Sequence, residues 1–324
     1  MDIRKGEGTW TDLCEIADGP GPYTMSYGFN LDLLCESIRK VGLINPPLLA
    51  RNQEGSFDVV SGYRRILALK ALGKRKVFCL DVTVVLPSTL KRFLAAFYEN
   101  LATRKFNDME KALILNKLQS HVRKKEILAS FMPLLSLPSH EGTLEFYLKL
   151  LDLDGEVQKA LANEEISIKV AKFFVAMEKT SCRAVFKWIS TLKFNFNQQV
   201  KFIDYLEDIR VREDVTIGAL LCEEYFIAIL ENPHLNNPQK VKAVLEALRA
   251  RRFPRLAQRQ KAIESLVSAI AMPPEACVHY DPYLEDPDYQ LEIKFRHGKD
   301  LKSAIRKLHA LRELEAIPEL WAGK

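Results

Sequence analysis

Between residues 30 and 112 the apolar positions switch repeatedly between a helical and an alternating period, with Gly, Pro and Asn at the switches. Leu31, Leu34, Ile38 and Val41 share one helical face, with Asn30 as a candidate N-cap and Gly42 just past the end. Leu43 to Ala50 reads as a strand whose entry Pro46 and Pro47 keep extended. Glu54-Gly55 is a turn, and Phe57 to Val60 a second strand. Gly62 breaks it, and Tyr63 to Leu72 is a helix closed by Gly73. Val77 to Val85 reads as a third strand. Pro87 and Ser88 start a helix with Leu90, Phe93, Leu94, Phe97 and Leu101 on its apolar face. Asn107 caps another, with Glu110 at capping-box spacing.

Residues 106–235 read as almost wholly helical. The pattern predicts a helix over Glu126–Met132, a turn at Leu137-Pro138-Ser139 with Ser139 as cap, and helices over Glu141–Leu151 and Asp152–Asn163. Ser167 caps a further helix that carries Val170, Ala171 and Phe174. Amphipathic helices follow over Val185–Leu192, Gln198–Ile209 and Ile217–Leu230. Their aromatic residues, Trp188, Phe202, Tyr205, Tyr225 and Phe226, fall at core spacing. Asn232-Pro233 and Asn236-Asn237-Pro238 mark a boundary. Beyond it the order is a helix to about Met272, strands over 276–280 and 289–296, and a helix over Leu301–Leu314. The expected class is α+β. It combines a small mixed-sheet domain over 1–105, an all-helical helix-turn-helix domain over 106–235 and a helix-strand-strand-helix domain over 236–324.

The length of 324 residues agrees with two or three domains. No run is long and apolar enough for a membrane span, and Met1 to Lys5 lacks the apolar core of a leader, so a cytoplasmic protein is expected. The six cysteines, Cys14, Cys35, Cys79, Cys182, Cys222 and Cys277, are scattered without a Cys-x-x-Cys pair and read as reduced thiols. Cys277 and His279 share a strand face, where packing explains them better than a metal does.

Two stretches carry chemistry. Ser61-Gly62-Tyr63-Arg64-Arg65 follows an apolar strand and opens a helix. Unpaired N–H groups and the positive end of the helix dipole meet there, and the arginines add planar, permanently charged donors, so the turn is a phosphate seat. Glu99-Asn100 near the end of a later helix offers oxygen ligands suited to a hydrated hard cation. Together they suggest a nucleotide site.

The order of these pieces resembles the ParB chromosome and plasmid partition family. The run Leu34-x-x-Ser37-Ile38-x-x-x-Gly42-Leu43-Ile44-x-Pro46, then Val60-Ser61-Gly62-Tyr63-Arg64-Arg65-x-x-Ala68, then Glu99-Asn100-Leu101 and Glu110-x-Ala112 carries the likeness. A second phrase, Leu150-Leu151-x-Leu153-x-x-x-Val157-Gln158-x-Ala160-Leu161 with Ile166-Ser167, extends it. The resemblance implies a CTP-binding N-terminal domain, a helix-turn-helix that binds DNA, a C-terminal homodimer and a ParA-type ATPase partner. It implies a nucleotide that closes the dimer into a clamp on DNA, in a bacterial protein associated with the nucleoid or a plasmid. By the same carry-over, Gly62, Tyr63, Arg64 and Arg65 form the phosphate turn. Gly42, Ile44 and Pro46 lie near the nucleotide. Glu99 and Asn100 stand close to Mg and the triphosphate, with Glu99 the candidate for catalysis should CTP be hydrolysed. Where the family commonly has Arg three residues after the Asn, this chain has Thr103, and Arg104 stands one place further on, about 100° around a helix. Sulfiredoxins share the N-terminal fold but need a cysteine in the turn that here reads Ser61-Gly62-Tyr63-Arg64.

The DNA reading rests on Ser139, His140, Thr143 and Lys149 around the candidate recognition helix, with Arg123, Lys124 and Lys125 as phosphate contacts. The composition pulls against it: Glu141 and Glu145 sit on the same helix, and residues 105–180 hold eleven Lys plus Arg against eleven Asp plus Glu. The densest basic stretch comes later, with Arg251, Arg252 and Arg255 as candidates for non-specific phosphate contact. Two other functions stay open at this point: a helix-turn-helix transcriptional regulator without a nucleotide cycle, and a nuclease on the same N-terminal fold. The second needs more clustered carboxylates than Glu99, Asp81 and Asp58 supply.

Overall fold

The sheet that positions the candidate site is mixed and four-stranded. In the computed structural model it comprises β1 (Glu7–Asp12), β2 (Leu48–Arg51), β3 (Phe57–Ser61) and β4 (Lys76–Asp81). The structure describes residues 6–281, 286 and 288–317; Met1–Lys5 lies outside the described residues. The strand order is β1-β4-β2-β3, with β4 antiparallel to β1 and parallel to β2, and β2 antiparallel to β3. Helices α1 (Asp32–Val41) and α2 (Tyr63–Ala71) cover one face. Ile38, Leu49, Phe57, Val59, Ile66, Leu69 and Val77 form that core, with Cys79 buried among them. Burial pushes the Cys79 thiol up to about 12, which keeps it protonated and unreactive.

Each difference between the expected and observed strands has a local cause. The second strand begins at Leu48 rather than Leu43, because Pro46 and Pro47 have no N–H to give to a ladder. The strand begun at Lys76 ends at Asp81 instead of Val85. There the Asp81 carboxylate accepts from both the backbone N–H and the hydroxyl of Thr83 and turns the chain. Strand β1 has no apolar alternation to announce it. Its inward positions Thr9 and Thr11 are polar, and its one large apolar residue, Trp10, packs edge-on against Phe78 on the exposed face.

Helices α3 (Thr89–Thr103) and α4 (Asp108–Gln119) follow. Ser88 caps the first. Asn107 and Glu110 cap the second with the expected box. Helical segments Lys124–Leu134, Glu141–Lys149, Gly155–Ala162 and Ile168–Ala176 complete this unit, the first of them passing through a π turn at Ile127–Phe131. The helix expected from Asp152 starts at Gly155, since Leu150–Asp152 forms a 3₁₀ turn instead.

The segment from residue 21 to residue 30 is a strap laid over this unit. Lys117 on α4 donates to the carbonyls of Gly21 (2.9 Å) and Thr24 (2.7 Å). Asn107 Nδ2 donates to Tyr27 O (3.0 Å), and the Tyr27 hydroxyl donates to Gln158 (3.0 Å). Gly28, at φ 61°, lies so close that a Cβ there would sit 2.4 Å from the Ala162 methyl. Burial pushes the Lys117 ammonium down from 10.5 to about 8. The folded chain therefore releases this proton before the unfolded chain does. Between about pH 8 and pH 10.5 the unfolded state binds more protons, and stability attributable to Lys117 rises with pH. Urea unfolding across that window should show a gain of roughly 1–3 kcal/mol in the wild type that K117M lacks. Parallel curves for the two proteins would remove this account.

The chain divides into two compact units, 1–182 and 183–324. In the second, Phe196–Glu213, Ile217–Leu221, Glu224–Glu231, Asn237–Arg252 and Pro254–Ala269 are helices. The helix expected over Ile217–Leu230 is thus two, broken at Cys222-Glu223. Strands Ala276–Tyr280 and Tyr289–Ile293 pair antiparallel, and helix Gly298–His309 follows. His279 pairs across the strands with Glu292 (2.9 Å). Among the described residues no helix is long and apolar enough to cross a membrane, and no group of three or more His, Cys, Asp or Glu could hold a metal alone.

Candidate functional site

A cleft of about 310 Å³ opens where β3 turns into α2. It gathers Gly62, Tyr63, Arg64 and Arg65 from that turn and Glu99, Asn100, Thr103 and Arg104 from the end of α3. Tyr23, Thr24, Met25 and Ser26 of the strap and Asn45 close the other sides. Gly62 holds φ 95° at the N-cap of α2, and no side chain caps that helix end. A Cβ on Gly62 would stand 2.9 Å from Arg65 Nε and 3.1 Å from Pro47 Cβ. Glycine is therefore needed for conformation and for space, and the first N–H groups of α2 are left facing the cleft.

The two arginines of the turn have different jobs. Arg65 is committed to the frame: it donates to the Asn45 carbonyl (2.8 Å), more weakly to Pro46 O and Ser61 Oγ (3.4 Å each), and to Glu99 Oε1 (3.1 Å). Arg64 donates to Ser26 Oγ (3.1 Å) and to Glu110 Oε1 (2.7 Å), and lies 4.7 Å over the Phe29 ring. Its Nη1 has no hydrogen-bond partner among the described residues. Desolvation lowers the Arg64 pKa most, the nearby Arg104 charge adds to this, and Glu110 opposes both. A guanidinium so shifted is still a cation at physiological pH.

Arg104 reaches the cleft in spite of its offset. It is the C-cap of α3 in extended conformation (φ −156°, ψ 164°), so the 100° step of a helix does not apply to it. It donates to Asn100 Oδ1 (2.9 Å) and to Glu110 Oε2 (2.5 Å) and lies 4.9 Å from the Phe106 ring centre. Thr103 turns its hydroxyl back to the Glu99 carbonyl (2.9 Å). Asn100 is tied to Ala96 O (2.8 Å) as well as to Arg104, which leaves its Oδ1 one lone pair for another partner. Glu99 Oε2 is buried without a hydrogen-bond partner. An orphaned carboxylate oxygen in a cleft rich in cationic donors suits a hydrated cation bridging to phosphate, because Mg²⁺ commonly takes one or two carboxylates and completes its shell from waters and substrate.

Of the other residues assigned to the nucleotide, Pro46 contributes its carbonyl to Arg65, Gly42 ends α1 at φ 75°, and Ile44 is exposed beside the cleft without lining it. In the sequence Glu110 was legible as a capping residue and as part of the family run, but not as an ion-pair partner. Its partners Tyr27, Arg64 and Arg104 come from other elements, and no spacing rule links them.

The residues assigned to DNA fall in two places. Arg123, Lys125, Ser139 and His140 are exposed, and Thr143 sits in the first turn of helix Glu141–Lys149. Lys124 is paired with Glu141 (2.7 Å) and Glu145 (3.7 Å), which raises its pKa. Lys149 ends the helix beside a separate cleft with Asp152 and Asp154. In the second unit Arg251 is held by Glu213 (2.6 Å) and Glu223 (2.5 Å), and Arg252 pairs with Asp208 and covers Tyr205. Arg212 donates to the carbonyls of both Arg251 and Arg252. Arg251 and Arg252 are thus met by acids of Phe196–Glu213 and by Glu223, and Arg255 is exposed.

Residues 25–101 match the family model of the ParB N-terminal domain. The protein described as "Probable chromosome-partitioning protein ParB" of Campylobacter jejuni is 26% identical over 216 residues, 64% of this chain and 72% of that protein. The nucleoid occlusion protein of Geobacillus kaustophilus is 28% identical over 158 residues, 48% of this chain and 53% of that one. Other curated chromosome-partitioning relatives are likewise matched over 48–58% of their own length. Among solved structures, C-terminally truncated ParB of Caulobacter crescentus complexed with CTP-γ-S is 21% identical, with 54% of this chain and 94% of that one covered at a TM-score of 0.27.

Proposed function

Because this chain belongs to the ParB family through its N-terminal domain, we propose that it is a DNA-binding partition protein whose cleft takes CTP with Mg. In this reading nucleotide binding gates a homodimeric clamp on DNA. The observation that carries the reading is the convergence on one cleft of the positions matched to the family's motif, Gly62 to Arg65, Glu99 and Asn100, with Arg104 beside them. The α2 N-terminus and Arg64 would meet phosphates. Glu99 Oε2, with Asn100 beside it, would face the cation. Binding is the proposed activity, and Glu99 as a hydrolytic residue is a separate proposal, since hydrolysis needs a positioned water and a base.

Titration calorimetry with the four nucleoside triphosphates, with and without Mg²⁺, tests the reading. CTP should bind in preference to the others, and only with the cation at full strength. DNA affinity that ignores every nucleotide would favour the regulator without a nucleotide cycle. The pairing of Lys124 with Glu141 and Glu145 at the start of the candidate recognition helix speaks for modest rather than tight DNA affinity. Arg123, Lys125, Ser139, His140 and Thr143 are the residues through which contact would run. The cellular setting that follows is the bacterial cytoplasm, on nucleoid or plasmid DNA, with a ParA-type ATPase as partner.

The dimer is proposed through residues 255–315. A two-stranded sheet is marginal by itself, and Leu266, Leu291, Phe295 and Ile305 are exposed apolar side chains in this segment. Pairing with a second copy would cover them. Light scattering at micromolar concentration should give about twice the chain mass of 37.0 kDa; a monomer mass there would count against the clamp.

A further inference from the structure

We propose that Glu110 is the positioning residue of the anion seat: one buried carboxylate holds Arg64 and Arg104 side by side so that both guanidiniums grip adjacent phosphoryl groups of an oligophosphate. This rests on the reading of the cleft as a nucleotide site and says which group builds its specificity for phosphate number.

Glu110 is 1% exposed. Its Oε1 accepts from Arg64 Nη2 (2.7 Å) and from the Tyr27 N–H (3.2 Å). Its Oε2 accepts from Arg104 Nη1 (2.5 Å) and from the Asn107 N–H (3.2 Å). The carboxylate is therefore filled on both oxygens, and each oxygen serves one arginine. The two guanidiniums repel one another. They stand together only because an anion lies between them, and the set keeps a net charge of one plus toward the cleft. Ser26 accepts from both, at 3.1 Å from Arg64 and 3.5 Å from Arg104, and bridges the two guanidiniums. Two cations fixed in this way match two neighbouring phosphoryl groups and give a single phosphate only half of the contact.

Glu110 also serves the Asn107 capping box, and the two roles separate by substitution. Glutamine at the same place of the box can still reach back to the N-cap N–H. An amide has one acceptor oxygen, however, and its NH₂ would face a guanidinium donor. Glu110→Gln thus keeps the cap and loses one arm of the seat, whereas Asn107→Ala loses the cap's side chain and leaves the carboxylate.

The probes are CTP, CDP, CMP and inorganic tripolyphosphate, titrated calorimetrically into the full chain. In the wild type affinity should rise steeply from CMP to CTP. In E110Q, CTP and tripolyphosphate should weaken at least tenfold while CMP changes little, so discrimination by phosphate number collapses. N107A should lower the melting temperature without changing that discrimination. E110Q binding CTP or tripolyphosphate as tightly as the wild type overturns the proposal. Tripolyphosphate held in a Glu110-dependent way by a wild type indifferent to CTP would keep the seat and remove the nucleotide reading. Binding of neither removes both. Should E110Q be unfolded by circular dichroism, R64Q, R104Q and the double variant decide. Each single variant should then weaken CTP and tripolyphosphate at least tenfold with CMP little changed, and the double variant should weaken them further; losses equal for CMP and CTP overturn it.

Discussion

Arg64→Ala is expected to weaken CTP binding by about two orders of magnitude or more, to the limit of calorimetric detection. A hydrogen bond between a guanidinium and a phosphate is worth about 1.5–3 kcal/mol, and Arg64, whose Nε and Nη2 are held by Ser26 and Glu110, keeps Nη1 for a ligand. Its loss also leaves Arg104 as the only cation against Glu110, which cancels the net positive charge of the seat. The fold should survive, because Arg64 is about a third exposed and its aromatic contact with Phe29 lies at the surface. Arg39→Ala on the exposed side of α1 is the matched control for charge alone. Wild-type affinity in R64A, with unchanged circular dichroism, would remove the phosphate role of the turn.

Arg65 makes the comparison informative. Tandem arginines after a glycine look equivalent in sequence, yet Arg65 spends its donors on Asn45, Pro46, Ser61 and Glu99. It braces the loop after α1 against the turn and against α3. A local motif identifies a phosphate turn because the backbone geometry it needs is local: a strand end, a left-handed glycine, a helix start. Which of two adjacent arginines faces the ligand depends on residues twenty to forty places away, and spacing carries no trace of that.

The same division explains what the sequence shows of the whole fold. Helices bounded by a cap were legible to within a residue or two, since Ser88, Asn107 and Ser167 act on groups three residues on. Strand β1 was not, because Thr9, Thr11 and Trp10 invert the pattern of an amphipathic strand. Its place is fixed by pairing with β4 alone. The basic run at Arg251 and Arg252 shows the converse. One-signed in sequence, it is met in space by Asp208, Glu213 and Glu223, acids that no spacing along the run announces. Arg104 is a third case. A continued helix would turn it about 100° from Thr103, yet it reaches the cleft because the helix ends at Thr103 and Arg104 takes an extended backbone.

Glu110→Ala should be the most destabilising single change at this site, by about 3–5 kcal/mol in urea unfolding without nucleotide. Removing one member of a buried ionic cluster leaves the others uncompensated. Here two guanidiniums are left facing each other, and the N–H groups of Tyr27 and Asn107 lose their acceptor. The partial exposure of Arg64 and Arg104 lets water answer some of this, which places the expectation toward the lower end of the range. Glu99→Ala is the instructive contrast. Glu99 is partly exposed, receives one long bond from Arg65, and has an oxygen buried without a partner, so its removal should cost under about 1 kcal/mol. The carboxylate buried behind the cleft and the one lining it then separate by purpose, Glu110 holding the arginines in place and Glu99 held ready for a cation. A Glu110→Ala protein within 1 kcal/mol of wild type would mean that the arginines find their positions without it, and the Arg64–Glu110–Arg104 cluster would lose its structural role.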